Sequence, residues 1–166
     1  MREAILDGLS SLPGPVAVAI ASALPISEVR GGIPLGIFEY NMPLVELLPI
    51  AIAANVIIIL PVLLWFNPIA DWMMERGILT GLVRRLLAKA RSKKPLVDKH
   101  GIYALTLLVA VPLPVTGAWT GAMVASVFEM DIGRAVLCIA MGVIIASAIV
   151  TALCLGGIWT YHAATA

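Results

Sequence analysis

Four stretches without a single charged side chain dominate this chain: Gly8–Ser27, Leu47–Ala70, Gly101–Phe128 and Ala135–Tyr161. Each is at least 20 residues long. About 20 apolar residues suffice to cross the hydrocarbon core of a bilayer as a helix. A soluble domain would be about 25% charged; this one is 13% charged and 61% hydrophobic, with a mean hydropathy of +1.02. These features predict an all-α, multi-pass integral protein of the cell membrane.

The charges that remain are placed unevenly. Eight of the eleven Lys and Arg lie in Arg76–Lys99 against one acid, Asp98, a local net charge of +7. Short loops this basic stay on the cytoplasmic side. Within Ile78–Lys94, apolar residues (Ile78, Leu79, Leu82, Val83, Leu86, Leu87, Ala90) recur at helical spacing with Arg84, Arg85, Lys89 and Arg91 between them. That pattern predicts an interfacial basic amphipathic helix: a topology anchor on an anionic leaflet, or a recruiter of an anionic lipid.

The first uncharged stretch does not read as one plain span. Met1–Leu12 is mildly amphipathic, and Pro13-Gly14-Pro15 turns the chain inward. The acidic leader (Glu3, Asp7) and these prolines argue against a cleaved signal peptide. Val16–Leu24 is apolar but only about 13 Å long as a helix. Pro25 breaks it, a polar turn carries Ser27, Glu28 and Arg30, and Ile33–Phe38 is a second short apolar arm. Such a pair fits either a re-entrant hairpin or one span broken in its middle. Glu39–Pro43 turns the chain back. Leu44–Phe66 is a clear span, with Glu46 near its start, Pro49, Asn55 and Pro61 inside, and Trp65 and Trp72 as an aromatic belt.

The design then repeats. Ile102–Val111 is short and apolar, Pro112–Gly121 is a neutral break, a small-residue arm follows, and Ala135–Trp159 is a full span. Shifting the chain by 89 residues lays Pro25 on Pro114, Ser27 on Thr116 and Gly32 on Gly121, and Gly32/Gly36 and Gly117/Gly121 are both Gly-x-x-x-Gly pairs suited to close helix contact. The expected architecture is therefore one transmembrane domain, 1–166, in an inverted repeat of two re-entrant helical hairpins and two full transmembrane helices. Its first half is 1–75 (hairpin 13–38, span 44–66), its basic connector 76–99, and its second half 100–166 (hairpin 101–126, span 135–159). Two hairpins with two spans put both termini outside; four full spans put both inside. Interrupted segments in matching positions of two halves point to a transporter's binding site.

Ionisable groups inside a membrane are costly to keep, so Glu28 and Arg30 are the first candidates for function. Arg30 can fork onto a phosphate or carboxylate. Gly31 and Gly32 can offer backbone N–H groups, and a helix starting near Ile33 adds the positive end of its dipole. Glu28 is the candidate proton carrier: loss of water favours its neutral form and a nearby guanidinium its anion, so substrate arriving at Arg30 switches it. The alternative is that Glu28 and Arg30 only pair to satisfy the break. Ser27, Thr116 and Thr120 suit capping or back-bonding to broken backbone, and Trp119 suits packing or a substrate-facing wall. Asn55 suits inter-helix hydrogen bonding. Pro25, Pro112, Pro114 and Gly117 shape the two breaks. Cys138 and Cys154 read as core residues, His100 and His162 as interfacial ones. No zinc, P-loop or dinucleotide motif and no nucleophile–base pair is present, so no cofactor, no catalysis and no nucleic-acid partner are expected.

The runs Leu24-Pro25-Ile26-Ser27-Glu28-Val29-Arg30-Gly31-Gly32-Ile33-Pro34-Leu35-Gly36 and Val111-Pro112-Leu113-Pro114-Val115-Thr116-Gly117-Ala118-Trp119-Thr120-Gly121 resemble those of the small multidrug export protein family of bacteria and archaea. That family looks distantly similar to the DedA/VTT superfamily, whose members carry two re-entrant hairpins in inverted repeats and in some cases move polyprenyl phosphates or phospholipids. The acid typical of the first DedA hairpin would correspond to Glu28, after Pro25. The arginines typical of the second have no counterpart in Pro112–Gly121, so the resemblance leaves Arg30 as the only deep arginine. The expected function is a small transporter or translocase for an amphipathic substrate, with a lipid phosphate first and proton coupling implied. The alternatives are export of amphipathic cations, held by Glu28 and Trp119, and a non-transporting membrane scaffold. Membrane lipids are expected partners, and so few helices favour a homodimer.

Overall fold

A computed structural model describes residues 12–77, 80–91, 102–111 and 117–165. Every regular element among them is helical: α1 (Gly14–Ala23), α2 (Glu28–Pro34) continued by a π-helical turn (Leu35–Glu39), α3 (Leu44–Glu75), α4 (Thr80–Arg91), α5 (Ile102–Ala110), α6 (Ala118–Val127) and α7 (Ile132–Thr165). Two helices, α3 and the Ile132–Gly157 part of α7, are long and apolar enough to cross a membrane. Only 22% and 44% of their most apolar windows are buried. A soluble core helix would be covered on most sides; these leave large side chains such as Val45, Ile57, Leu137 and Leu153 exposed, as helices solvated by lipid do.

Packing divides the chain into two compact units, Met1–Ile57 with Ile144–Ala166, and Ile58–Val143. In the first unit α1 and α2 run antiparallel. Gly14 lies against Tyr40 and Met42, Gly36 against Val18, and Gly32 against Ser22, so the two ends of this segment are neighbours. Ala17, Val18, Ala21 and Ser22 form the buried face of α1, while Val16, Ile20 and Leu24 face outward. The first part of α3 presents Leu47, Ala51 and Asn55, each fully buried and spaced four apart on one face.

In the second unit α5 packs on α6, and α4 also packs on α6. Ala104, Leu105, Leu108 and Val109 of α5 are buried, while Tyr103 and Leu107 are exposed. A methyl group on Gly142 would lie 2.6 Å from Val109 Cβ and 2.8 Å from Thr106 O, so α5 and α7 touch almost backbone to backbone. Thr106 Oγ1 donates to Cys138 O across the same contact at 3.1 Å. Cys138 and Cys154 are both free thiols.

The described helices differ from the expected segments mainly in where they start and end. The spans expected at 44–66 and 135–159 are parts of longer helices, Leu44–Glu75 and Ile132–Thr165. Pro49, Pro61 and Pro68 lie inside α3 without ending it. The second arm of the first hairpin begins at Glu28 rather than near Ile33. Gly31 and Gly32 lie inside the helix instead of breaking it, Gly32 packing on α1 and Gly31 on Ser27 of the turn, and Pro34 is absorbed where the helix widens into the π turn. Of the helix expected at 78–94, Thr80–Arg91 is helical with Arg84 and Arg85 exposed, and 78–79 and 92–94 lie outside the described residues.

Candidate functional site

The tip of the first helix pair holds one of the three non-glycine residues with left-handed backbone among the described residues, Glu28, the others being Asn41 and Glu129. After α1 the chain makes the turn Leu24–Ser27, exposing Pro25 and Ile26. It then buries Glu28, 7% exposed, with φ at +49°. The left-handed region is unfavourable for a side chain with a Cβ, and such residues cluster at functional sites. The Glu28 N–H donates to Leu24 O at 3.0 Å, and the Gly31 N–H to Ser27 O at 2.9 Å. Ser27 Oγ donates to Ala21 O. The turn is thus closed by its own backbone and by one hydroxyl back-bonded to the end of α1. Arg30 is half-buried two residues after Glu28, and both charged residues are engaged with neighbours.

The two glycines let the backbone of this turn pack closely. The Gly31 amide is taken by Ser27 O. Gly32 is buried where a methyl group would lie 2.0 Å from Ser22 Oγ and 3.2 Å from Val18 O. Gly32 brings α2 onto α1, Gly31 packs on Ser27 within the turn, and Arg30 remains the candidate anion ligand of this turn. Asn55 joins α3 to the same place, its Nδ2 donating to Ser22 O at 2.9 Å.

The second break belongs to the other unit. Pro112, Pro114 and Thr116 lie outside the described residues. Gly117 is buried with extended backbone and precedes α6, and the Gly121 N–H donates to its carbonyl at 2.8 Å. Thr120 is buried and Trp119 half-buried. Gly121 faces Val109 closely enough that a methyl group would lie 2.7 Å from Val109 Cγ2. The structure therefore gathers Pro25, Ser27, Glu28, Arg30, Gly31 and Gly32 at one turn, and Gly117, Trp119 and Thr120 at another.

Sequence reading missed Ser22, Asn67 and Ser126, while it picked out Asn55 for inter-helix hydrogen bonding. Asn67 Nδ2 donates to Ser126 O at 2.7 Å, and Ser126 Oγ approaches Leu63 O and Val62 O at 3.4 and 3.5 Å. Ser22 and Asn55 are fully buried, and Ser22 Oγ and Asn55 Oδ1 reach no protein hydrogen-bond partner. The available signal was a lone polar side chain in an apolar run shortly before a proline, Ser22 before Pro25 and Asn67 before Pro68. No group of three or more His, Cys, Asp or Glu suited to a metal occurs among the described residues.

The chain matches no curated protein and no solved structure. The profile of a family described as "putative small multi-drug export protein" matches residues 28–149, from the left-handed Glu28 to Ile149 in α7, and the chain belongs to that family.

Proposed function

We propose that this membrane protein is a translocase for an amphipathic substrate bearing a phosphate, with Arg30 receiving the anionic group and Glu28 carrying a coupling proton. The observation that carries this reading is Glu28 itself: a carboxyl group buried to 7% exposure, at φ +49°, two residues from an arginine, in a chain of this hydropathy. Ionisable residues at membrane depth are expensive and mark transport pathways. Strain held at the same residue is the kind of feature that a functional turn keeps.

The helix lengths support a re-entrant reading of both helix pairs. α1 has 10 residues and α5 has 9, about 15 Å each against a hydrocarbon core of about 30 Å. The matched glycines Gly32 and Gly121 each approach the first arm of their own pair, through Ser22 and Val109 respectively. That shared contact supports an inverted repeat, with the basic connector cytoplasmic and a homodimer as the working unit.

A second reading, export of amphipathic cations, is favoured by the family's description and by the buried acid. One experiment separates the two. Liposomes holding the protein are given a fluorescent lipid phosphate or a cationic dye, with and without a pH gradient. The first reading expects movement of the lipid phosphate, lost in Arg30→Ala and uncoupled from the gradient in Glu28→Gln. Movement of the dye alone selects the second reading. Folded Arg30→Ala and Glu28→Gln proteins working at wild-type rates would sink the site assignment.

A further inference from the structure

The end of α1 holds two buried oxygens for which the charged turn gives no role. Ser22 and Asn55 are fully buried, and a hydrogen bond of 2.9 Å from Asn55 Nδ2 to Ser22 O joins them. That bond also settles which end of the Asn55 amide is which. A carbonyl can only accept, so the atom facing it is the nitrogen, and Oδ1 is the amide's other atom. Asn55 Oδ1 accepts only, and no protein donor reaches it; Ser22 Oγ likewise has no protein partner. Buried polar atoms are satisfied in nearly all native structures, so each of these two calls for a partner, and the Asn55–Ser22 bond puts them on neighbouring residues.

The surroundings favour a cation. The last turn of α1 carries the negative end of its helix dipole. Its carbonyls at Ala21 and Ser22 already attract donors from Ser27 and Asn55. Gly32 packs on Ser22, so α2 covers the same end of α1. Hydroxyl and amide oxygens are hard ligands without charge, suited to a monovalent ion rather than to a transition metal. Ends of interrupted membrane helices serve as alkali-ion ligands in transporters. We infer that Ser22 Oγ and Asn55 Oδ1, at the C-terminal end of α1, form a binding site for a small alkali cation of the sodium class. This site goes beyond the substrate reading and does not depend on it.

The test uses the purified full chain in lipid nanodiscs, without substrate or gradient. Thermal unfolding is followed in lithium, sodium, potassium and N-methylglucamine chloride at equal ionic strength, alongside equilibrium binding of radioactive sodium. The expected result is a saturable rise in unfolding temperature with an alkali ion over N-methylglucamine. Ser22→Ala should raise the half-saturating concentration about tenfold or more. Ser22→Cys, which keeps the volume but offers a soft ligand, should do the same, and it serves where the alanine variant does not fold. Asn67→Leu, in the other unit, should leave the ion response unchanged. Identical unfolding in all four salts would mean that the two oxygens hold water only, and would overturn the proposal. So would a folded Ser22 variant with an undiminished ion response. Failure here leaves the transport reading standing, and failure of transport leaves the binding result intact.

Discussion

Glu28 combines two costs at one position, a buried carboxyl group and a left-handed backbone. They can be separated by substitution. Glu28→Ala and Glu28→Gly both delete the carboxyl group, but only glycine accepts φ near +49° without strain. The left-handed conformation costs a residue with a Cβ about 1–2 kcal/mol, and the freedom of glycine in the unfolded chain gives part of that back. The glycine variant should therefore be more stable than the alanine variant by about 1 kcal/mol, read as a higher midpoint of SDS-induced unfolding. Equal midpoints would mean that the turn relaxes when the carboxyl group goes. The importance of Glu28 is legible in the sequence, because a lone acid in an apolar run stands out. Its backbone is not, since left-handed φ at a non-glycine arises from how the Leu24–Ser27 turn meets α2. Ser22 and Asn55 are visible only as isolated polar letters until the hydrogen bond between them is seen.

The next scale is the contact between elements, where the two units solve the same problem with different residues. α1 and α2 meet at Gly32 because Ser22 occupies the place of the missing methyl group. Gly32→Ala forces Ser22 aside and should destabilise by about 1–3 kcal/mol, as overpacking does. Ser22→Ala removes the nearest obstacle and leaves Ser22 Cβ and Val18 O at 3.1 and 3.2 Å from the new methyl carbon. The double variant should thus lose less than the sum of the two singles, by about 1 kcal/mol in unfolding measured without alkali ions. Additive losses would rule out a direct clash. On α6 the hydrogen bonds differ in quality: Asn67 donates at 2.7 Å, while Ser126 Oγ sits 3.4 Å or more from its acceptors. Asn67→Leu should cost about 1 kcal/mol and Ser126→Ala less than about 0.5, the reverse order counting against this geometry. The Gly-x-x-x-Gly spacing makes these approaches legible as a class. The start of α2 is not legible, because glycine and proline read as breakers locally while packing against α1 favours them. Gly142 gives no sequence signal either. It looks like any small residue of a span, and only its closeness to Val109 and Thr106 explains it.

For the whole molecule, charge placement predicts more than hydropathy does. Hydropathy says that 13–38 and 101–126 are apolar, without distinguishing a pair that returns to its own side from a pass through the bilayer. The contact of Gly14 with Tyr40 and Met42 shows the first segment returning on itself; the sidedness of the second follows from counting crossings. Three exposed positions decide it in a background with Cys138 and Cys154 replaced by alanine: Glu39 in the π turn, Gly81 with open space around it in α4, and Gly133 in the first turn of α7. Each is changed to cysteine and treated with a membrane-impermeant maleimide on intact cells. The positive-inside expectation puts Gly81 in the cytoplasm under either topology, and Glu39 is then outside under either. Gly133 separates them. If the α5–α6 pair returns to its own side, α7 starts in the cytoplasm, and Gly133→Cys labels only after permeabilisation. If that pair crosses, Gly133→Cys labels on intact cells together with Glu39→Cys. The expected result is protection of Gly133→Cys and Gly81→Cys with labelling of Glu39→Cys. Labelling of Gly133→Cys on intact cells would remove the second re-entrant pair. It would remove with it the proposed inversion of the second half relative to the first.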